Sequence, residues 1–289
     1  MNNDIKNTLE WLNISENAAK ALQDFLQEYS SRDASGTVPG LAKHLEDLTL
    51  GLNPPKDSFI LCIVITGISE KLFCPAAEHR LSQIFPTSAM GCFENRRTVL
   101  YCQKHRPTTK IDIDYEAFGQ FLTDIQGHAA ISNATRQENR IMTLYKLAET
   151  TLRLGLIFDS SKDRQRIYHY EDFSMYHLVD LSARQFIREY GHDDLIYLVH
   201  PAIIQIARYD QKHRSGLLDV LFSYLVHDRN VAATAKALYM HRNTVLNKIN
   251  RIEEITGLNL SDGYMQHRLT MSCLIIKYYE AYMKKQIRL

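Results

Sequence analysis

The sequence has no long hydrophobic run, and its few cysteines are scattered. The longest uninterrupted apolar stretch, residues 59–65, suits a buried strand and is far too short to cross a bilayer. The amino terminus lacks the basic-then-apolar pattern of an export signal. The cysteines are odd in number, five, and widely spaced, which argues against a disulfide framework and for reduced core thiols. We therefore expect a cytoplasmic protein with no membrane partner.

The sequence also lacks the short motifs of common enzyme classes. It contains no P-loop, no dinucleotide-binding glycine pattern, no Cys-x-x-Cys and no His-Glu-x-x-His. The 12 histidines are scattered and show no metal-ligand spacing, so they are read as core or surface residues. We predict no metal, no cofactor and no catalytic residues.

Charge is distributed unevenly along the chain. The formal net charge is only +1, but residues 212–289 contain 12 Lys and Arg against 6 Asp and Glu. The rest of the chain carries 22 basic and 27 acidic residues. A basic end on an acidic body is typical of a DNA-binding module attached to another domain, although a solvated basic face would look the same.

The pattern of apolar residues divides the chain into four segments. Residues 1–54 have helical periods at 16–29 and 39–50, and residues 55–172 mix strand and helix patterns. From 173 onward only helical periods occur, first in a connector, 173–212, and then in a domain formed by 213–289. The predicted fold class is α+β, with a short helical segment at the amino-terminal end.

Three short helices are predicted at the start of the basic region. The first covers residues 216–228. The second covers 231–238, is rich in alanine and is capped by Asn230. The third covers 242–255 and ends at Gly257. Small side chains let neighbouring helices approach closely, as the crossing helices of a helix-turn-helix require.

The third predicted helix has two different faces. Its apolar side chains fall on one side and should pack on the first two helices: Val245, Ile249, Ile252 and Ile255. Polar side chains line the opposite side and one flank: Asn243, Asn247 and Arg251, with Thr244 and Lys248. Asparagine is a poor helix former, so its use here favours contacts to bases and phosphates over helix stability. Phosphates would repel Glu253 and Glu254, so only the first half of the helix should enter the major groove. A plain helical bundle with a polar outer face is the alternative.

A series of motifs in this region resembles the carboxy-terminal helix-turn-helix of the PucR/CdaR family. In chain order they are His200-Pro201, Tyr209-Asp210, Leu217-Leu218-Asp219-Val220-Leu221, Asn230-Val231-Ala232-Ala233-Thr234-Ala235, His241-Arg242-Asn243-Thr244-Val245 and Arg251-Ile252-Glu253-Glu254-Ile255-Thr256-Gly257-Leu258. The resemblance implies a bacterial regulator of purine or sugar-diacid catabolism genes, with a three-helix unit similar to the Fis type. It implies that Arg242 reads a base and that Thr244 and Lys248 hold phosphates. Tyr239 departs from the pattern, because many such units have glycine at the turn.

Several roles within this helix remain open on the sequence alone. Arg242 could instead clamp a phosphate or form an internal ion pair, and His241 could hold the corner of the turn instead of contacting a base. Contacts of Asn247 and Arg251 depend on the docking angle. The predicted DNA-binding set is His241, Arg242, Asn243, Thr244, Asn247, Lys248 and Arg251.

The element order of residues 55–172 resembles the cyclase-like (GGDEF-like) α/β sandwich found before this helix-turn-helix in the same family. A diguanylate cyclase needs glycines and metal-binding acids at its hairpin. Residues 94–98 instead read Glu-Asn-Arg-Arg-Thr, so the resemblance implies a degenerate domain that is not an enzyme. Arg96, Arg97 or the basic run 104–106 could bind an anion, but a solvated hairpin tip is the favoured interpretation.

Together these patterns predict a regulator that binds double-stranded DNA. One recognition helix buries too little surface for tight specific binding, so a homodimer or higher oligomer is expected. The last predicted helix, 262–285, would either pack on the preceding helices or serve dimerisation. A small-molecule effector of unknown identity is a further expected partner. The rival hypothesis is a ligand-sensing or protein-interaction module whose helix-turn-helix does not bind DNA.

Overall fold

The computed structural model describes residues 40–107, 110–158 and 166–282. The chain forms two compact units, Met1–Ser174 and Met175–Leu289, which we call unit 1 and unit 2. Unit 1 combines a sheet with helices, and the described part of unit 2 is helical, so the fold is a mixture of α and β structure. The predicted helix at 16–29 lies outside the described residues.

Unit 1 is built on a five-stranded sheet. The strands in chain order are β1 (Phe59–Thr66), β2 (Ser88–Phe93), β3 (Arg96–Gln103), β4 (His128–Ile131) and β5 (Ile167–His169). Their order across the sheet is β2-β3-β1-β4-β5, and only β4 and β5 pair in parallel. The apolar β1 therefore lies at the centre, and β2 and β3 form the hairpin that the sequence predicted.

Helices cover both faces of this sheet. They are α1 (Leu41–Leu52), α2 (Ser69–Leu72), α3 (Pro75–Ile84), α4 (Tyr115–Asp124) and α5 (Ile141–Phe158). Alternate residues of a strand face opposite sides. In β1, Ile60, Cys62 and Val64 therefore pack in the core with α1 and α5. Leu61, Ile63 and Ile65 pack in the core formed with α3 and α4.

The hairpin corrects one prediction. The turn contains only Glu94 and Asn95, and Arg96 and Arg97 are buried in β3. Arg96 pairs with Glu149 of α5, with 2.7 Å between Nη1 and Oε1. Arg97 donates to the carbonyl of Leu72 at 3.2 Å. The expected solvated arginine tip is therefore wrong, because buried acceptors hold both guanidinium groups.

The described residues of unit 2 contain most of α6 (Tyr170–Tyr190), which begins at the end of unit 1, the 3₁₀ helix Leu195–Leu198 and five further α-helices. These are α7 (Pro201–His213), α8 (Leu217–Val226), α9 (Val231–Ala237), α10 (Arg242–Thr256) and α11 (Gly263–Ala281). Predicted and observed bounds of α8 to α10 agree within a few residues. The last helix packs inside the unit: Tyr278 is buried and its hydroxyl donates to Asp180 at 2.7 Å.

The five cysteines are free. Cys62, Cys102 and Cys273 are buried, as expected for core thiols, but Cys74 is half-buried and Cys92 is exposed, so the expectation is wrong for Cys92. None of the helices within the described ranges is both long enough and apolar enough to span a membrane.

Candidate nucleic-acid interface

The first helix of the candidate interface, α8, receives its cap from a neighbouring helix. Its own N-cap residue, Gly216, has a φ of 63° and no capping side chain. The carboxylate of Asp210, in α7, accepts hydrogen bonds from the backbone amides of Leu217 and Leu218, both at 2.8 Å. It also accepts from the hydroxyl of Ser215 at 2.5 Å. Asp210 thus fixes the start of α8, because it satisfies amides that a helix leaves unpaired at its first turn.

The second helix, α9, is short and capped at both ends. The side chain of Asn230 accepts from the amide of Ala233 at 3.0 Å, as the sequence predicted. At its other end the amide of Met240 donates to the carbonyl of Ala235 at 2.9 Å, and that of Tyr239 to Lys236 at 3.3 Å. This pair of bonds is a Schellman motif, whose left-handed position glycine usually occupies.

Tyr239 occupies that position here. Its φ is 53°, a conformation that costs an L-residue roughly 1–2 kcal/mol. Its side chain is 99% exposed. The departure noted in the sequence therefore corresponds to a strained, fully solvated aromatic residue at the turn.

The third helix, α10, packs one face on its neighbours and exposes the other. Val245, Ile249 and Ile252 are buried and Ile255 is half-buried, which matches the predicted apolar face. The side chain of His241 caps the helix, because its Nδ1 accepts from the amide of Asn243 at 3.2 Å. The helix ends at Gly257, whose φ of 66° makes it the predicted left-handed C-cap.

Most of the predicted DNA-binding residues lie exposed along the first half of α10. The exposed ones there are His241, Arg242, Asn243, Thr244 and Asn247, and Arg251, further along the helix, is also exposed. Among the described residues, Arg242 has no ion-pair or hydrogen-bond partner, so its guanidinium is available to a ligand. Asn250 is also exposed and lies next to Asn243 around the helix axis, on the side away from Asn247.

Two predicted residues make internal contacts. The ammonium group of Lys248 donates to the carbonyl of Ser215 in the loop before α8. The guanidinium of Arg251 lies 2.8 Å from Glu254 and 5.2 Å from the ring centre of Tyr209. The hydrogen bond to Glu254 raises the pKa of Arg251 above its usual value, so the group stays charged. Both side chains therefore link α10 to neighbouring parts of unit 2, although they lie near its polar face.

Comparison with known proteins decides what this three-helix arrangement is. Residues 217–275 match the family described as the PucR C-terminal helix-turn-helix domain. This segment is a PucR-type helix-turn-helix domain. The resemblance predicted from the motifs is therefore confirmed for this part of the chain.

Two curated regulators are similar in sequence to part of this chain. The carbohydrate diacid regulator of Escherichia coli (strain K12) is 34% identical over 119 residues, which is 41% of this chain and 27% of that protein. The purine catabolism regulatory protein of Bacillus subtilis (strain 168) is 32% identical over 98 residues, 34% of this chain and 18% of that protein. The aligned region thus spans about a quarter or less of each relative.

A solved structure aligns with more of the chain but more loosely. It is the regulator of polyketide synthase expression from Bifidobacterium adolescentis, at 14% identity and a TM-score of 0.35. The alignment covers 96% of this chain and 98% of that one. A TM-score this low does not establish a common fold.

Sequence reasoning missed part of what positions the PucR-type domain. Asp210 belongs to one of the motifs of the resemblance, but its capping of α8 depends on a turn at 214–216 that brings α7 and α8 together. The bond from Lys248 to Ser215 joins residues 33 apart in sequence. Neither contact follows a helical period, so no local pattern could have revealed it. Asn250 is a third asparagine of α10, and the low helix propensity of asparagine is the signal in the sequence that could have identified it.

In the described ranges, no group of three or more His, Cys, Asp or Glu side chains is arranged to hold a metal ion.

Proposed function

We propose that the chain is a sequence-specific DNA-binding transcriptional regulator of catabolic or metabolic genes. The observation that carries the proposal is the exposed polar face on the first half of α10, inside a PucR-type helix-turn-helix domain. Helix-turn-helix proteins place the amino-terminal part of this helix against base edges in the major groove. The printed names of the two curated relatives, a carbohydrate diacid regulator and a purine catabolism regulatory protein, support genes of catabolism.

In this proposal the exposed residues at the start of α10 contact different parts of the DNA. Arg242 donates to a guanine edge, and Asn243 and Asn247 contact bases or phosphates beside it. Thr244 contacts a phosphate, and His241 orients the start of the helix through its cap. Lys248 and Arg251 reach phosphates only if they give up Ser215 and Glu254, respectively.

We propose that residues 55–172 form a degenerate GGDEF-like domain that is not an enzyme. The strand order β2-β3-β1-β4-β5 and the β2–β3 hairpin support this assignment. The hairpin segment carries buried arginines where a cyclase needs metal-binding acids, and both are engaged by protein groups. For the rest of the chain we propose a helical segment at 1–54, a connector at 173–212 and a Fis-like DNA-binding domain at 213–289.

We propose that the regulator acts as a homodimer. One recognition helix reads a half-site, and a second copy supplies the other half. Three half-exposed apolar side chains support self-association: Met175, Leu178 and Leu181, which we call the α6 row. They are spaced by three on α6 and so lie next to one another on its surface. An apolar row of this kind is suited to the same row of a second copy.

The remaining parts of the proposal concern regulation and location. A small-molecule effector, of unknown identity, would act through unit 1 by changing dimerisation or by coupling to the DNA-binding domain. Bacterial chromosomes lie in the cytoplasm, so a regulator of this class works there.

One observation favours a second candidate, an interaction module that does not bind DNA. Two of the four cations on α9 and α10, Lys248 and Arg251, make internal contacts, which lowers the charge available to phosphates. The other two are Lys236 and Arg242, both exposed.

Titration with DNA at several salt concentrations separates the two candidates. The full chain is used to select duplexes from a random-sequence pool, and the enriched duplex is titrated at 50–200 mM salt beside a scrambled duplex. We expect tight binding to the enriched duplex, with a logarithmic affinity that falls linearly with the logarithm of salt concentration. No binding to either duplex at the lowest salt would exclude the regulator.

A further inference from the structure

The turn between α9 and α10 contains a residue that the fold does not need. Tyr239 is 99% exposed and has a φ of 53°. Among the described residues its ring and its hydroxyl have no aromatic or hydrogen-bond partner, so the side chain adds no packing to unit 2.

The backbone at this position is held by its neighbours instead. The two hydrogen bonds of the Schellman motif, from Tyr239 to Lys236 and from Met240 to Ala235, fix the left-handed conformation. Glycine adopts that conformation without a steric penalty, whereas tyrosine is strained there. Strain at an exposed residue that packs on nothing points to a role outside folding.

The position of Tyr239 limits what that role can be. It precedes the cap residue His241 by two positions and Arg242 by three. Consecutive Cα atoms are 3.80 Å apart, so the Cα of Tyr239 lies within about 11 Å of that of Arg242. Any duplex that receives the start of α10 therefore brings its sugar–phosphate backbone within reach of a tyrosine side chain. Lys236, exposed in the last turn of α9, adds a cation beside it.

We propose that Tyr239 is a DNA-backbone contact, whose hydroxyl donates to a phosphate oxygen and whose ring packs on the adjacent sugar. Tyrosine hydroxyls are among the usual donors to DNA phosphates. The contact carries no sequence information and fixes the position of α10 in the groove. The inference rests on the proposed DNA-binding function.

The test compares two properties on which the substitution acts differently. Tyr239→Gly relieves the strain, so its thermal unfolding midpoint should equal or exceed that of the wild type. The same variant should bind both the enriched and the scrambled duplex about ten-fold more weakly, the effect expected for one lost hydrogen bond to a charged acceptor. Tyr239→Phe, which removes only the hydroxyl, should show most of the same ten-fold loss of affinity. The salt slope should stay unchanged because tyrosine is uncharged.

A second exposed tyrosine provides the control. Tyr264→Ala removes a side chain that is 73% exposed at the start of α11, and it should leave affinity for both duplexes unchanged. Wild-type protein that binds no duplex overturns the proposed function and this contact with it. If Tyr239→Gly and Tyr239→Phe bind both duplexes as tightly as the wild type does, the tyrosine contact alone is overturned. If Tyr239→Gly unfolds more easily, Tyr239→Asn, which also tolerates a left-handed backbone, replaces it in the same titration.

Discussion

Two cations on α10 illustrate how far surroundings determine the role of a residue. Arg242 is exposed at the first position of the helix, and its side chain has no ion pair or hydrogen bond with the described residues. Lys248 lies on one flank, where its ammonium donates to the carbonyl of Ser215. On the sequence both were candidates for DNA contacts. Their environments now separate them, because a group already bound to protein must exchange that contact for a phosphate.

The first prediction concerns Arg242. Arg242→Ala should reduce the preference for the enriched over the scrambled duplex by about 1–3 kcal/mol, the discrimination of one bidentate arginine–guanine contact. Stability should change little, since the side chain is exposed and has no ion pair or hydrogen bond among the described residues. Titration of both duplexes with wild-type and variant protein at one salt concentration measures the difference.

Arg140→Ala provides the matched control for charge. This arginine is exposed in a 3₁₀ turn of unit 1 and lies outside the PucR-type domain, so its removal should preserve the preference. If Arg242→Ala weakens both duplexes equally, Arg242 is a phosphate clamp. If neither affinity changes, Arg242 does not contact DNA.

At the scale of elements, the contact of α5 with β5 depends on one missing side chain. A Cβ atom at Gly155 would lie 2.4 Å from Cγ of Tyr168, a fully buried tyrosine of β5. The ring therefore occupies the space that a methyl group would need. The glycine weakens α5 as a helix but lets it lie directly on the sheet.

The second prediction follows from this approach. Gly155→Ala should lower the free energy of unfolding by roughly 1–3 kcal/mol, because overpacking outweighs the better helix propensity of alanine. Urea unfolding monitored by circular dichroism measures it. Gly119→Ala in α4 is the control: nothing lies within 4 Å of the added Cβ, so the variant should be up to about 1 kcal/mol more stable. Equal effects of the two substitutions would contradict the predicted clash.

Elements set by local patterns could be predicted from the sequence, and elements set by distant contacts could not. The apolar run of β1, the cap Asn230 and the terminator Gly257 lie within or next to the structure they determine, and each was found. Arg96 and Arg97 were assigned to a loop because they are charged. Their burial depends on acceptors far along the chain, such as Glu149, 53 residues beyond Arg96.

Prediction of the candidate site from the sequence has the same limit. The polar face of α10 follows from a helical period and was predicted, but the bond from Lys248 to Ser215 requires the turn that precedes α8. Whether a lysine is free or held by protein is therefore a property of the folded unit and not of its helix.

At the scale of the whole molecule, histidines connect stability to pH. Burial lowers the pKa of His44, His169 and His200 below the usual 6.5, and the positive charge of Arg268 adds to the shift of His200. The Nδ1 of His200 accepts from the amide of Ala202 at 3.2 Å, which requires a neutral nitrogen. Folding thus favours the unprotonated rings.

The third prediction is that the protein loses stability as pH falls below about 6.5. In that window the unfolded chain binds more protons than the folded chain, so protonation favours unfolding, and the loss continues until the pH reaches the lowered folded pKa values. Urea unfolding at pH 7.5, 6.5 and 5.5 tests it. His200→Asn keeps a capping acceptor that does not titrate and should flatten the dependence. A free energy of unfolding that rises as the pH falls from 7.5 to 5.5 would contradict the prediction.

The last prediction concerns assembly through the α6 row. If Met175, Leu178 and Leu181 meet the same residues of a second copy, a charge at the middle position must be buried or the interface must open. Leu178→Glu should therefore shift the protein from dimer to monomer in analytical ultracentrifugation at micromolar concentration. Its affinity for a duplex with two half-sites should fall, while that for a single half-site stays unchanged.

A leucine on another helix separates this effect from a general loss of hydrophobic surface. Leu50 of α1 is 79% exposed, more than the 52% of Leu178, and belongs to unit 1. Leu50→Glu should leave the dimer intact because exposed leucines outside an interface contribute little. A wild-type chain that is monomeric while bound to its enriched duplex, or a Leu178→Glu dimer as tight as the wild type, would exclude the α6 row as the interface. In the first case, specificity would have to come from a single half-site or from contacts made elsewhere in the chain. In the second case, the dimer would form through another surface.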